Sequence, residues 1–107
     1  MIERDWFFKR PVELRKVELD GGEIWVRPLT LTEDEESSKY RRDSNEWQTY
    51  LIRVSCCDED GNPFFVDNDQ EALSKVPAKY MSPIMAAILR VNSWIDDDNN
   101  EDDVGNQ

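Results

Sequence analysis

Apolar and polar residues first alternate over residues 12–29. Val17 and Leu19 are interleaved with Lys16 and Glu18, and Ile24 and Val26 with Glu23 and Arg27. A period of two marks half-buried strands. Asp20-Gly21-Gly22 lies between the two runs and supplies the positive-φ positions of a tight turn, so 12–29 is predicted to form a β-hairpin. Trp25 falls on the face opposite Ile24 and Val26. Pro28 ends the ladder because it has no N–H to donate.

The period then becomes helical. Thr30 and Thr32 are each followed three residues later by a glutamate, Glu33 and Glu35, which offers two overlapping capping boxes. Glu33, Asp34, Glu35 and Glu36 place negative charge at the positive end of a helix dipole. Tyr40, Trp47, Leu51 and Val54 then recur on one helical face, so one long helix is predicted over about 32–57. Its stretch from Arg41 to Glu46 is wholly polar, which makes that part solvent-facing or a break near Ser44-Asn45.

Asp58-Glu59-Asp60-Gly61-Asn62-Pro63 reads as a turn, and Phe64-Phe65-Val66 as a short extended segment. Asp67-Asn68-Asp69-Gln70 opens a short helix over about 68–75, and Pro77 resets the chain. Ile84, Ile88, Val91 and Ile95, joined by Met81, Met85 and Ala87, form an amphipathic helix over about 83–95. Ser82 is its expected N-cap, with Pro83 at the first helical position. The fold class expected is α+β, mainly α: an N-terminal β-hairpin, three or four helices and a disordered acidic C-terminal tail.

Charge sets the boundary of that tail. Residues 96–107 hold six acidic residues and no basic one, out of a formal net charge of −11 for the chain. Such a segment has too little apolar surface to offset the entropy of ordering it. Residues 1–95 are therefore expected to form a single folded domain, and 96–107 a disordered tail. Twenty-five of the 107 residues are Leu, Ile, Val or Phe, enough for a modest core. The acidity disfavours binding to nucleic acid phosphates or to anionic membrane. No apolar run approaches the length of a membrane span. Met1-Ile2-Glu3-Arg4-Asp5-Trp6 has acidic residues where a signal peptide needs basic ones.

Candidate chemistry is thin. The sequence contains no histidine, which removes the commonest general base and metal ligand. Cys56 and Cys57 are adjacent, cannot staple a fold, and fit a cytosolic chain with reduced thiols, one of them packing in the core. Asp58-x-Asp60-Gly61 hints at a calcium loop. With Gly61 at position 6, however, Cys56 would be the first ligand and Asp67 the last, both poor matches. An acidic glycine turn explains it better. Gly21-Gly22 lacks the strand-to-helix setting of a phosphate loop. No catalytic residue, cofactor or metal ligand is therefore expected.

What remains is apolar surface. Trp6-Phe7-Phe8 either plugs the core or stays exposed as a contact for a partner or another subunit of a homo-oligomer. Met81, Met85 and Trp94 read first as core and second as a groove for a partner helix. Together with Phe64 and Phe65 these are the candidate partner-binding residues.

The order of these elements resembles the small tail assembly chaperones of long-tailed bacteriophages. The likeness runs over roughly residues 12–95. It rests on the Gly-Gly hairpin leading to Trp25-Val26-Arg27-Pro28-Leu29-Thr30, the acidic helix start at Glu33, and Leu51 to Cys57 followed by Asp58-Glu59-Asp60-Gly61-Asn62-Pro63-Phe64-Phe65. Val76-Pro77 and a closing helix through Leu89-Arg90-Val91-Asn92 complete it. Family members often follow that asparagine with glycine; here Ser93-Trp94-Ile95 follows, which suggests a longer helix.

The resemblance implies a non-enzymatic assembly factor in the cytoplasm of the infected bacterial host, absent from the finished virion. Its partner would be the phage tape measure protein, kept soluble until the tail tube polymerises. In many relatives a longer, frameshifted form also recruits the major tail tube protein; by the same resemblance a 107-residue chain would be the short form, or come from a phage without the extension. Two other classes fit a small acidic chain. One is a DNA mimic that inhibits a nucleic-acid-binding enzyme, the other a structural virion protein of tail or head completion. Half the charge excess in a floppy tail argues against the mimic.

Overall fold

The computed structural model describes residues 1–9 and 11–96, so the expectation of a disordered tail falls, beyond Asp96, outside the described residues. The hairpin forms as its alternation requires. Strand β1 (Arg15–Leu19) pairs antiparallel with β2 (Gly22–Val26), with Arg15 opposite Val26, Val17 opposite Ile24 and Leu19 opposite Gly22. Asp20-Gly21 is thus a two-residue connection. Gly22 sits at φ +138°, a conformation that side chains with a Cβ rarely adopt. Val17, Ile24 and Val26 are buried on one face, and Trp25 lies half-buried on the other.

Before the hairpin, Arg4–Lys9 forms a one-and-a-half-turn helix, α1, that buries no residue. Nothing in the hydrophobic pattern marked it, since three consecutive aromatics carry no period.

The segment expected as one helix over 32–57 is divided into three elements. Helix α2 (Leu31–Ser38) starts at Thr30 in the capping box expected there: the Thr30 hydroxyl accepts from the Glu33 N–H and the Glu33 carboxylate from the Thr30 N–H. It stops after one polar stretch. Ser37 and Ser38 turn their hydroxyls back onto the carbonyls of Asp34 and Glu35, at 2.7 and 2.6 Å, and so compete with the backbone ladder. Asp43, in extended conformation, then caps a new helix, α3 (Ser44–Ser55), by accepting from the Glu46 N–H. The break lets Tyr40 approach Tyr50, their rings 5.4 Å apart. A continuous helix would have bound the polar run 41–46 into its middle with no apolar face to bury.

The third piece, β3 (Cys56–Cys57), replaces the expected helix end. It pairs with β2, Val26 opposite Cys56 and Trp25 opposite Cys57, and the Arg27 N–H donates to the Ser55 carbonyl at the joint. The sheet order is β1-β2-β3. One of the pair, Cys56, packs in the core as expected, and Cys57 is buried too, on the other side, with its Sγ 3.6 Å from the Trp25 carbonyl. A two-residue strand is too short to leave a period in the sequence.

Helix α4 is confined to Asp69–Leu73, and Asn68 makes no capping bond. Helix α5 runs over Ala78–Val91, earlier at both ends than the expected 83–95. Ser82 is not its cap; its hydroxyl donates to the Ala78 carbonyl one turn back. Pro83 lies within the helix, on its exposed side. The C-terminal stop is a backbone event. Ser93 adopts φ +62°, the Ser93 N–H bonds the Arg90 carbonyl and the Trp94 N–H the Leu89 carbonyl, which is the left-handed cap that glycine usually supplies.

The core lies where α5 crosses the hairpin and α3. Leu51, Ile52, Ile88 and Val26 are wholly enclosed, with Val17, Ile24, Tyr50, Cys56, Leu73, Ile84, Met85 and Ala87 around them. Among the described residues no helix is long and apolar enough to cross a membrane.

Candidate functional site

Beside this core, the hairpin turn, the segment after β3 and the first turns of α5 leave an apolar groove of about 380 Å³. Leu19 and Ile24 supply its hairpin wall, Phe64 and Phe65 a second wall, and Tyr80, Met81 and Ile84 the third, over Ile52 and Leu73.

Each wall is positioned by local chemistry. The turn before Phe64 is organised by Asp58, whose carboxylate accepts from the Asp60 and Asn62 N–H groups, both at 2.9 Å, and from the Asn62 side chain. The backbone hydrogen bond from Asn62, with that from Asp60, holds this carboxyl below its ordinary range. Gly61 takes φ +89° in the same turn. The Asp58 carboxylate is therefore engaged in folding its own loop. The Phe64 N–H then donates to the Cys56 carbonyl, and the two phenyl rings meet edge to face at 4.9 Å. Downstream, Arg53 of α3 donates to Gln70 at 2.9 Å and to Asp67 at 2.7 Å, which ties the 67–70 segment to the core. Arg53 is invisible to a search for apolar surface, yet it holds the segment that follows the Phe64-Phe65 wall. Its i,i+3 spacing from Tyr50, whose ring it overlies at 5.5 Å, was the only local signal of an inward-turned arginine.

The candidate contact residues separate into distinct places. Phe64, Phe65 and Met81 converge on the groove. Met85 does not: at 9% exposure it is packed in the core one turn further along α5, the first of its two expected roles. Trp94 stands past the C-terminal end of α5, where it stacks on Trp47 with ring centroids 6.4 Å apart. Phe7 and Phe8 are 63% and 72% exposed and border a separate, mixed cavity of about 600 Å³ with Arg27, Pro28 and Val91; Trp6 packs edge to face on Phe7. Leu19, Val76 and Tyr80 complete the groove but were not singled out in the sequence, because each looks like an ordinary half-buried residue of its own element.

The electrostatics of the molecule divide in the same way. Asp20 and Glu23 line the groove at its hairpin rim, and among the described residues no lysine or arginine does. Glu23 is bridged to Lys16 at 3.3 Å, which raises the Lys16 pKa. At the opposite end of the hairpin, Arg27 clasps Glu33 through two hydrogen bonds of 2.9 and 2.7 Å. Partial burial works against the Glu33 charge, but the bonds from Arg27 and Thr30 outweigh it and leave this carboxyl below its ordinary range. The Arg27 guanidinium is correspondingly raised by Glu33.

What the arrangement can do is bind. Burial pushes the Cys56 thiol up to about 12 and raises Cys57 as well, so neither is a ready nucleophile at neutral pH. Among the described residues no three histidine, cysteine, aspartate or glutamate side chains cluster as a metal site. An apolar groove with a carboxylate rim suits the apolar face of a helix whose flanks are polar or basic.

No family model matches the chain, and no curated protein matches it in sequence. Among solved structures it is similar to the tail assembly chaperone of bacteriophage HK97, with a TM-score of 0.59 over 72% of this chain and 83% of that one. The two are 13% identical, so what they share is the fold.

Proposed function

We propose that this chain is a phage tail assembly chaperone that holds the tape measure protein soluble for tail tube assembly, acting by binding alone. The fold likeness to the HK97 chaperone carries the proposal. The groove supplies a physical means. A long helical client exposes apolar stripes before it is built into a tail, and a groove walled by Phe64, Phe65 and Met81 offers those stripes aromatic and methionine surface. The chaperone's formal charge of −11 keeps the complex from associating with its neighbours. Trp6, Phe7 and Phe8 form a second candidate contact, and Trp94 a third. A longer, frameshifted form would add the major tail tube protein as a partner. The site of action is the cytoplasm of the infected host.

Co-expression with the tape measure protein of the same phage tests this. The expected result is a client that is soluble only with the chaperone and a pair that co-purifies at high salt, since apolar contacts outlast screening. A client that stays insoluble beside folded chaperone would overturn the proposal.

A further inference from the structure

Away from the groove, cations and aromatic rings gather where the chain leaves α5. Trp94 stacks on Trp47, and the Arg41 guanidinium lies 5.9 Å from the Trp47 ring centroid. Arg41 and Arg42 are exposed in the turn between α2 and α3. Arg41 approaches the Asp34 carboxylate only to 3.9 Å, too far for a hydrogen bond, and the Arg42 side chain has no ion pair or hydrogen bond among the described residues. The neighbouring Asp43 carboxylate is engaged in capping α3. The Trp47 indole N–H is buried and has no acceptor among the described residues, which is costly for a polar group removed from water.

An acidic stretch starts from the same place. Asp96 is the last described residue, two positions past Trp94, and residues 97–107 carry Asp97, Asp98, Glu101, Asp102 and Asp103 with no cation. At about 3.3–3.6 Å per residue, Asp97 and Asp98 stay within roughly 14 Å of Trp94. Other surfaces suit these carboxylates less. The groove rim is itself acidic, at Asp20 and Glu23. On α1 the Arg4 guanidinium lies 5.2 Å from the Phe8 ring centroid, and Lys9 is bridged to Asp5 at 3.5 Å.

We propose that residues 97–107 fold back as an acidic strap over the Trp94–Trp47 stack of their own chain, with their carboxylates facing Arg41 and Arg42. The attraction is between charges, so it does not require the strap to take one conformation. The strap covers Trp94 at low ionic strength, and a partner reaches that ring only once the carboxylates are screened or taken by other cations. This goes beyond the client-binding reading and stands without it.

A nitroxide on the full chain at Val104→Cys tests it by paramagnetic broadening. Cys56 and Cys57 are buried, so the label goes to the introduced thiol. At low salt the amides of residues 40–47 and the Trp47 indole N–H should lose most of their intensity, while those around the groove keep theirs. The loss should disappear at about 1 M salt, where the Debye length is about 3 Å. It should also disappear in Arg41→Glu with Arg42→Glu. A second variant leaves the folded residues untouched: Asp97→Asn, Asp98→Asn, Glu101→Gln, Asp102→Asn and Asp103→Asn together should abolish the loss as well. Mixing isotope-labelled chain without nitroxide into unlabelled chain with it should broaden nothing in residues 40–47, because the contact lies within one molecule. Residues 40–47 that keep full intensity at low salt, broadening that survives high salt or either variant, or broadening of those residues in the mixture would each overturn the proposal.

Discussion

At its C-terminal end α5 is fastened into the molecule: Asn92 accepts from the Leu29 N–H at 2.9 Å and donates to the Ile88 carbonyl at 2.8 Å, and Ser93 turns the chain back so that Trp94 lies on Trp47. Its first turns instead stand beside the groove, with Tyr80 exposed and Met81 half-buried. One helix therefore serves two purposes. Where polar joints and enclosed side chains accumulate, a surface is consumed by the fold. Where they are absent, apolar side chains remain available to a partner.

Substitutions at the two ends should separate stability from binding. The largest loss is expected at Ile88→Ala, deep in the core, at about 2–5 kcal/mol by denaturant unfolding. At Tyr80→Ala, on the groove wall, the midpoint should move by less than about 1 kcal/mol while client capture falls; a large stability loss there would show that the groove is part of the core. Asn92→Ala leaves the Leu29 N–H without its partner and should cost about 1–3 kcal/mol.

The Arg27–Glu33 clasp gives the fastened region a pH signature. The folded pKa of Glu33 lies below its unfolded value, so its contribution is present above about pH 4.3 and fades as pH falls through the folded pKa. Glu33→Gln should lower stability at neutral pH by about 1–2 kcal/mol, and the difference from wild type should shrink in acid. Urea midpoints at neutral and acid pH check this. One further effect has the opposite sign. Ser93→Gly relieves a left-handed residue and should raise the melting temperature, by about 1 kcal/mol of stability.

How much of this was legible depended on the distance over which each feature is decided. The hairpin and the capping box at Thr30 and Glu33 involve neighbours a few residues apart, and both formed where their residues indicated. The same holds for the acidic turn, where Asp58 and Gly61 act within one loop. The break between α2 and α3 was harder, because Ser37 and Ser38 are neutral to a helix until their hydroxyls choose the backbone and Tyr40 finds Tyr50. The end of α5 misled for a related reason: Ile95 continues the apolar period, but Ser93 has already turned the chain.

The groove is a case of its own. Phe64, Phe65 and Met81 were visible as apolar residues with no evident partner, whereas Leu19, Val76 and Tyr80 were not, and Met85 was indistinguishable from Met81. The two methionines are four residues apart on one helical face, about a single turn, and only the packing of α5 against the rest of the chain decides which one is covered.

By itself, then, the sequence determined what neighbouring residues settle among themselves: the strand alternation, the Asp20-Gly21 connection, the Thr30 cap, the acidity and the lack of histidine. The tertiary structure decided which apolar residues remain exposed, because burial depends on segments far apart in the chain. It set Cys56 and Cys57 against β2, drew Arg53 onto Gln70 and Asp67, and left the space between the hairpin turn, Phe64 and Met81 unfilled.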